Sequence, residues 1–125
     1  MNKRKIGFIE IRESTEGSAS AQTFPTKPEE QIPNICKVIR PHFDGIIIGN
    51  DQFDEKTGIE KIRSGDCDMI SFGRKYVCNP DLAERILKGQ EISNTFDWYT
   101  AFRGMNYENL GAKGYTDYPT FEQLQ

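Results

Sequence analysis

Three short apolar runs constrain this chain most, because each has the length and composition of a buried β-strand. They span residues 6–11, 45–48 and 69–72 and are rich in isoleucine, phenylalanine and methionine. Apolar runs of about four to eight residues bounded by turn residues are typical of strands covered on both faces. A segment with helical spacing follows each run. The repeated order strand–helix predicts an α/β fold with parallel strands and right-handed crossovers.

The predicted helices lie between and after these strands. The first is bounded by Pro33 and Pro41, since proline is accepted at the start of a helix but not in its interior. The second spans residues 57–64, and Gly65 ends it because glycine readily adopts the left-handed conformation. A long loop, rich in serine, glycine and threonine, separates the first strand from the first helix.

The third helix carries the clearest boundary signals. Asn79 is predicted to cap its N-terminus, Pro80 occupies the first helical position, and Gly89 ends it. The helix is predicted to bury one apolar stripe, formed by Leu82, Ile86 and Leu87.

Length and composition exclude several classes of protein. The chain has 125 residues, which predicts a single domain over residues 1–125. A net charge of −3 argues against a nucleic-acid groove or a patch for anionic membranes. No apolar run is long enough to span a membrane and no signal peptide is apparent, so a cytoplasmic location is expected.

The cysteines and the single histidine give no sign of a metal site. Cys36, Cys67 and Cys78 are odd in number and lack Cys-x-x-Cys spacing, so reduced and mostly buried thiols are expected. His42 lies between Pro41 and Phe43 with no second ligand nearby in the sequence.

Two glycine-containing pairs follow neighbouring strands and form the candidate site. Gly49-Asn50 ends the second strand and Gly73-Arg74 ends the third. Ligands of parallel α/β folds bind at the carboxyl ends of strands, and barrel enzymes often hold phosphate near the last two strands. Glycine lets the backbone approach a ligand closely, and the planar guanidinium of arginine matches phosphate. The pattern therefore predicts a phosphate clamp.

The amino-acid sequence around this predicted clamp resembles that of a known family. Residues 71–82, Ser-Phe-Gly-Arg-Lys-Tyr-Val-Cys-Asn-Pro-Asp-Leu, closely resemble the last barrel strand of the old yellow enzyme family. Residues 114–119, Gly-Tyr-Thr-Asp-Tyr-Pro, resemble the C-terminal signature of that family. The resemblance covers nearly the whole chain but only about the last third of the family's barrel. It implies a partial TIM (β/α)8 barrel, made of the last three βα units and a tail over residues 94–125.

The resemblance also implies a function. Old yellow enzymes are FMN-dependent NAD(P)H:flavin oxidoreductases, or ene-reductases, that reduce activated alkenes. Within that family a Gly-Asn pair and a Gly-Arg pair bind the FMN phosphate, and these match Gly49-Asn50 and Gly73-Arg74. A tyrosine before the C-terminal signature lies near the flavin. Tyr107 matches it best by spacing to Gly114, although about ten extra residues in this region leave Tyr99 or Trp98 as alternatives.

Two departures from the family pattern bear on activity. After Asn50 the chain continues Asp51-Gln52-Phe53, where the family commonly has Gly-Gly-Tyr, Gly-Gly-Phe or Phe directly. A carboxylate at Asp51 would repel phosphate unless it turned away to cap the following helix. The family's flavin-ring contacts, its substrate-orienting His-Asn or His-His pair, its proton-donating tyrosine and its core arginine lie on earlier strands. No catalytic residue is therefore predicted here, and the chain is expected to be an inactive fragment when alone.

Other readings remain open at this level. The chain could be a non-catalytic phosphate-binding or interaction module built from βα units, or a structural remnant without a ligand. A three-stranded sheet with helices on one face also leaves its other face uncovered. The aromatic segment 96–107 is predicted to cover that face, and otherwise the missing N-terminal barrel portion or self-association is expected to do so.

Overall fold

The computed structural model describes residues 6–13, 34–103 and 112–125, and these contain the predicted parallel sheet. Its strands are β1 (Phe8–Arg12), β2 (Ile46–Asn50) and β3 (Met69–Ser71), in the order β1-β2-β3. Both pairings are parallel. In register, Phe8 lies opposite Ile46, and Asn50 lies opposite Ser71.

The helices are short. They are α1 (Ile35–Ile39), α2 (Glu55–Arg63), α3 (Arg74–Cys78), α4 (Leu82–Lys88) and α5 (Trp98–Arg103), with 3₁₀ turns at Arg40–His42 and Glu122–Leu124. Within the described residues, no helix is long and apolar enough to cross a membrane. The same residues contain no cluster of three histidine, cysteine or acidic side chains that could hold a metal ion.

The chain divides into two compact units, Met1–Phe72 and Gly73–Gln125. The first contains the sheet with α1 and α2, and the second contains α3, α4 and α5. Each unit is described by itself below. The organisation of residues 1–125 as one domain stays a prediction.

The core of the first unit lies on one face of the sheet. Ile11 and Ile47 pack there with Cys36, Phe43 and Cys67, all of which are buried. Cys67 and Cys36 are thus buried as predicted, and so is Cys78 in the second unit. The opposite face of the sheet is more open, since Phe8, Ile46 and Met69 there are between 41% and 60% exposed.

Helix α2 begins two residues before its predicted start because of a capping box. Asp54 Oδ1 accepts a hydrogen bond from Thr57 N (2.7 Å), and Asp54 N donates to Thr57 Oγ1 (3.0 Å). The two bonds satisfy the backbone N–H groups of Thr57 and Asp54, which the start of a helix leaves without an intrahelical partner. Asp54 provides this cap, so Asp51 is not the capping residue of α2. Gly65 follows the helix with a φ of 77°, the left-handed conformation predicted for it.

The predicted role of Asn79 as an N-terminal cap is wrong. Residues 74–78 form the separate helix α3, and Asn79 is its fully buried C-terminal boundary. The Asn79 amide donates to the carbonyls of Lys75 (2.8 Å) and Ser93 (2.9 Å) and accepts from Ser93 N (2.8 Å). Because of these bonds the Asn79 side chain is not available to cap a following helix. Asp81 occupies the N-cap position of α4.

The apolar stripe of α4 is narrower than predicted. Leu82 is buried and Ile86 is half-buried, but Leu87 is 87% exposed. Leu87 is adjacent to Ile86 in sequence, and neighbouring residues of a helix point about 100° apart, so Ile86 can face the core while Leu87 faces solvent. Gly89 ends the helix with a φ of 62°, as predicted.

Candidate functional site

Asn50 lies at the carboxyl end of β2 and joins a chain of polar side chains across the sheet. Asn50 Nδ2 donates to Ser71 Oγ (2.7 Å) and to Ser71 O (3.2 Å). Ser71 Oγ in turn donates to Glu10 Oε1 (2.6 Å). Because successive residues of a strand face opposite sides, these three side chains share the open face of the sheet, away from the core.

Ser71 and Glu10 were not among the residues predicted for the site. Strand alternation could have identified both, because Glu10 is the acidic residue between two isoleucines of β1 and Ser71 is the last residue of β3. They hold Asn50 in position, since each hydrogen bond restricts the orientation of its amide group.

Gly49 is buried, and packing alone gives a reason for a glycine at this position. A Cβ atom there would lie 3.2 Å from Ile70 Cδ1 and 3.5 Å from Cys67 Sγ. A side chain would therefore press on the core between β2 and β3. Its role in phosphate binding stays a proposal.

The two residues after Asn50 have an unusual backbone. Asp51 has a φ of 112° and Gln52 a φ of 44°, values that side-chain-bearing residues rarely adopt. Where the asparagine is followed by Gly-Gly-Tyr or Gly-Gly-Phe in the family that the sequence resembles, the two glycines match these positions. Backbone strain of this kind collects at ligand-binding loops, where the surrounding structure maintains it.

Replacing Gln52 with glycine should stabilise the first unit by about 0.5–1 kcal/mol, because relief of the left-handed conformation outweighs the added freedom of the unfolded chain. Glu60→Gly is the control, since Glu60 is exposed within the regular helix α2 and glycine there should destabilise. Urea unfolding of both variants measures the difference, and equal losses of stability would contradict the strain.

Gly73 and Arg74 belong to the second unit and open α3. Gly73 is exposed, and no atom lies within 4 Å of the position that a Cβ would occupy. Arg74 is also exposed, and its guanidinium carbon lies 4.9 Å from the centroid of the Trp98 ring. An aromatic face attracts a guanidinium group and leaves the N–H donors at its rim available for an anion.

Trp98 is itself held by a neighbouring aromatic ring. Phe96 and Trp98 lie edge to face, with centroids 5.2 Å apart and an interplanar angle of 83°. The structure thus pairs Trp98 with Arg74, whereas the sequence suggested Trp98 as one alternative for an aromatic residue beside a flavin. Tyr107 lies outside the described residues, as does the side chain of Tyr99, so the choice among these aromatics stays a prediction.

The C-terminal signature 114–119 holds α5 in place within the second unit. Gly114 has a φ of 82°, and its N–H donates to Asp117 Oδ1 (2.8 Å). Tyr115 donates its hydroxyl proton to the carbonyl of Ala101, and the Tyr118 hydroxyl accepts from Asp97 N (2.7 Å). Both tyrosines therefore anchor the segment that contains Trp98.

The cysteines do not suit a nucleophilic role. Burial raises the pKa of the Cys67 and Cys78 thiols, and it raises that of Cys36 to about 12, with help from the adjacent Glu13 carboxylate. The thiolate is the reactive form of cysteine, so these protonated side chains act as small core residues.

Comparison with known proteins found similar sequences among 12-oxophytodienoate reductases and flavin oxidoreductases. No family model matches the chain. A 12-oxophytodienoate reductase-like protein of Solanum lycopersicum is 33% identical over 96 residues, which is 77% of this chain and 25% of that protein. The flavin oxidoreductase hxnT of Emericella nidulans is 32% identical over 98 residues, covering 70% of this chain and 24% of that protein.

Solved structures that are similar to this chain include old yellow enzymes and their homologues. An old yellow enzyme homologue from Zymomonas mobilis superposes with a TM-score of 0.70 at 27% identity, covering 92% of this chain and 28% of that one. The old yellow enzyme from Trypanosoma cruzi gives a TM-score of 0.64 at 25% identity, over 91% and 26% of the two chains. The chain is a partial member of the old yellow enzyme family.

The chain matches only part of each of these relatives. The chain spans about a quarter of the length of the curated relatives that it matches. The three-stranded parallel sheet is a small α/β piece, and the structural neighbours are old yellow enzyme barrels of which it covers only part.

Proposed function

We propose that this chain carries the phosphate-binding part of an FMN-dependent oxidoreductase of the old yellow enzyme type. Arg74 carries the proposal, because its guanidinium is exposed and stacked on Trp98 directly after the open position at Gly73. A planar cation beside a backbone without a Cβ fits a phosphate group. The relatives support a flavin as the ligand, since one of them is named a flavin oxidoreductase.

Four residues would bind the phosphate under this proposal. Gly73 and Arg74 would contact it through the backbone and the guanidinium, and Gly49 with Asn50 would contribute from the end of β2. Tyr107 would lie near the flavin. The cofactor would supply hydride-transfer chemistry between NAD(P)H and an activated alkene, and this chain's residues would fix only its phosphate end.

The chain offers little for the chemical step itself. It contains one histidine, His42, which lies in the 3₁₀ turn before β2. That turn is at the amino end of the strand, whereas Asn50 is at the carboxyl end. His42 therefore lies at the opposite end of the strand from Asn50 and cannot orient a substrate beside it. We accordingly propose that the chain alone is inactive.

The phosphate proposal predicts that Arg74→Ala weakens FMN binding by about 1.5–3 kcal/mol, the value of a hydrogen bond to a charged group. The test joins this chain to the N-terminal three quarters of the Zymomonas mobilis homologue and titrates FMN by the quenching of flavin fluorescence. Arg63→Ala is the control, because Arg63 is exposed at the end of α2. Equal FMN affinity in the two variants would refute the assignment of Arg74.

The isolated chain is expected to show no turnover. NADPH oxidation with cyclohexenone and added FMN should not exceed the rate of free flavin, because the acid and substrate-orienting groups are supplied elsewhere in the family's barrel. A rate clearly above the free-flavin control would show that the chain is catalytically complete.

The quarter-length coverage also favours a second candidate, a non-catalytic phosphate-binding module. The isolated chain distinguishes the two, since a module would bind inorganic phosphate through Arg74 by itself, whereas the phosphate-binding part of a flavin enzyme would bind its ligand only when joined to the rest of the barrel. Calorimetric titration of inorganic phosphate into the isolated chain and its Arg74→Ala variant measures the difference.

A further inference from the structure

The side-chain amide of Asn50 donates both of its hydrogen bonds to Ser71. Nδ2 lies 2.7 Å from Ser71 Oγ and 3.2 Å from Ser71 O. A backbone carbonyl has no proton to give, so it can only accept a hydrogen bond from the amide nitrogen. The amide oxygen of Asn50 is therefore the group that remains for a ligand, because no residue in the described parts of the chain donates to it.

Glu10 fixes the direction of this chain of hydrogen bonds. Ser71 Oγ lies 2.6 Å from Glu10 Oε1, and a carboxylate accepts hydrogen bonds but donates none. The single hydroxyl proton of Ser71 is therefore given to Glu10, and the Ser71 oxygen is left to accept from Asn50. A reversed Asn50 amide would bring its oxygen against two acceptors with no proton between them, so only one orientation of the amide is satisfied.

A hydrogen-bond acceptor at this place suits one part of FMN and not another. A phosphate group carries a charge of about −1.5 to −2 at pH 7 and presents acceptor oxygens, so the Asn50 amide oxygen would repel it. A hydroxyl group has a proton to donate. FMN carries hydroxyl groups on the ribityl chain that joins its phosphate to its ring system, and such a hydroxyl is the complementary partner of the Asn50 oxygen.

We propose that the amide oxygen of Asn50 accepts a hydrogen bond from a hydroxyl group of the ligand's ribityl chain, and that Glu10, acting through Ser71, is the positioning residue for this contact. The inference rests on the proposed function for the identity of the ligand. It assigns the side-chain contribution of Asn50 to the chain beside the phosphate and not to the phosphate itself. Asn50 thereby distinguishes a hydroxylated chain from a plain one, whereas Arg74 recognises the phosphate.

The test compares FMN with a matched flavin whose phosphate is carried on a five-carbon chain without hydroxyl groups. Both are titrated by flavin fluorescence into the joined protein. Asn50→Ala should lower the affinity for FMN about three- to tenfold, the effect of one hydrogen bond between uncharged groups, and should leave the affinity for the plain-chain flavin unchanged. The ratio of the two affinities is the readout, because a loss of folding or of phosphate binding lowers both affinities together.

The role of Glu10 is tested by the same ratio. Glu10→Ala should reduce it, because Ser71 no longer has to give its proton away from Asn50 and the amide loses one of the two groups that orient it. Glu10→Gln should restore the ratio, since the glutamine carbonyl accepts from Ser71 as the carboxylate does. Glutamine is also uncharged, which separates hydrogen bonding from repulsion of the phosphate. Glu60→Ala is the control, since Glu60 is an exposed acidic residue of α2.

Nuclear magnetic resonance of the full chain without ligand tests the orientation of the amide directly. The Nδ2 protons of Asn50 should show nuclear Overhauser contacts to the Cβ protons of Ser71, and Glu10→Ala should weaken these contacts while Glu10→Gln retains them. A folded chain in which the contacts are absent, or in which Glu10→Ala leaves them unchanged, would overturn the inference.

The titrations separate this inference from the phosphate proposal. Equal losses of affinity for the two flavins in Asn50→Ala would overturn the inference and leave the phosphate proposal standing. Arg74→Ala should weaken the binding of both flavins alike, because both carry the phosphate. Unchanged binding in Arg74→Ala together with a lowered ratio in Asn50→Ala would refute the phosphate proposal alone. A folded joined protein that binds neither flavin would refute both.

Discussion

Replacing Arg85 with alanine is expected to destabilise the second unit by about 3–5 kcal/mol, as removal of one partner from a buried ion pair does. The Arg85 side chain is only 2% exposed, and its Nε donates to Asp81 Oδ1 at 2.7 Å. Its other nitrogens donate to the carbonyls of Glu91 (3.2 Å) and Pro119 (2.9 Å). Alanine would leave the Asp81 carboxylate and both carbonyls without these donors.

In Arg85→Ala, the C-terminal segment should be the first to lose its protection against hydrogen exchange. Asp81 Oδ2 accepts a hydrogen bond from Phe121 N (2.7 Å), so the same ion pair fixes the backbone on both sides of Thr120. Arg85 also lies over the Phe121 ring, 5.8 Å from its centroid. Hydrogen exchange at the Phe121 amide should therefore accelerate more in Arg85→Ala than exchange within the strands of the first unit.

The same helix provides the control. Lys88 and Glu84 form a second ion pair with the same spacing along α4, at 2.6 Å, but the two side chains are 55% and 58% exposed. Solvent screens exposed ion pairs, so Lys88→Ala should barely shift the urea midpoint. Equal destabilisation by Lys88→Ala and Arg85→Ala would mean that burial does not set the strength of the Arg85 contacts.

The sheet could be predicted from sequence because its signal is local. Apolar, β-branched runs such as residues 45–48 indicate strands without reference to the rest of the chain. Asn79 was misassigned because its decisive partner, Ser93, is 14 residues away. An asparagine before a proline has every local sign of a cap, and the tertiary hydrogen bonds that override it leave no mark in the sequence.

The candidate site was likewise predictable from the sequence only in part. Glycine pairs after two successive strands could be recognised from spacing, but the contact of Arg74 with Trp98 joins residues that no sequence periodicity links. The positive φ of Gln52 was equally hidden, because glutamine carries no preference for that conformation. Family resemblance indicated glycines at that place, and only the backbone explains why the departure matters.

The second large effect concerns a buried ion pair in the first unit. Glu13 directly follows β1 and is buried, with Oε1 3.0 Å from Lys61 Nζ and 3.0 Å from the donating Cys36 N. Lys61→Met should destabilise the protein by about 3–5 kcal/mol at pH 7, because the Glu13 carboxylate would remain buried without its cation. Lys56→Met is the control, since Lys56 is exposed on the same helix.

The pH dependence of that loss tests its cause. Burial by itself raises the pKa of Glu13, but the hydrogen bond from Cys36 and the contacts of Lys61 outweigh it and hold the pKa below its ordinary value. A carboxyl group with a lowered pKa stabilises the fold above its unfolded pKa of about 4.3 and ceases to do so as the pH falls through its folded pKa.

Without Lys61, burial dominates and the pKa of Glu13 should rise. Protonation would then relieve the variant as the pH falls, while it removes the contribution of the pair in the unmodified chain. The difference in unfolding free energy between Lys61→Met and the unmodified chain should therefore be largest near pH 7 and shrink below about pH 4. Urea unfolding at a series of pH values measures it. A difference that stayed constant with pH would assign the loss to packing of the lysine side chain and not to the charge that it places beside Glu13.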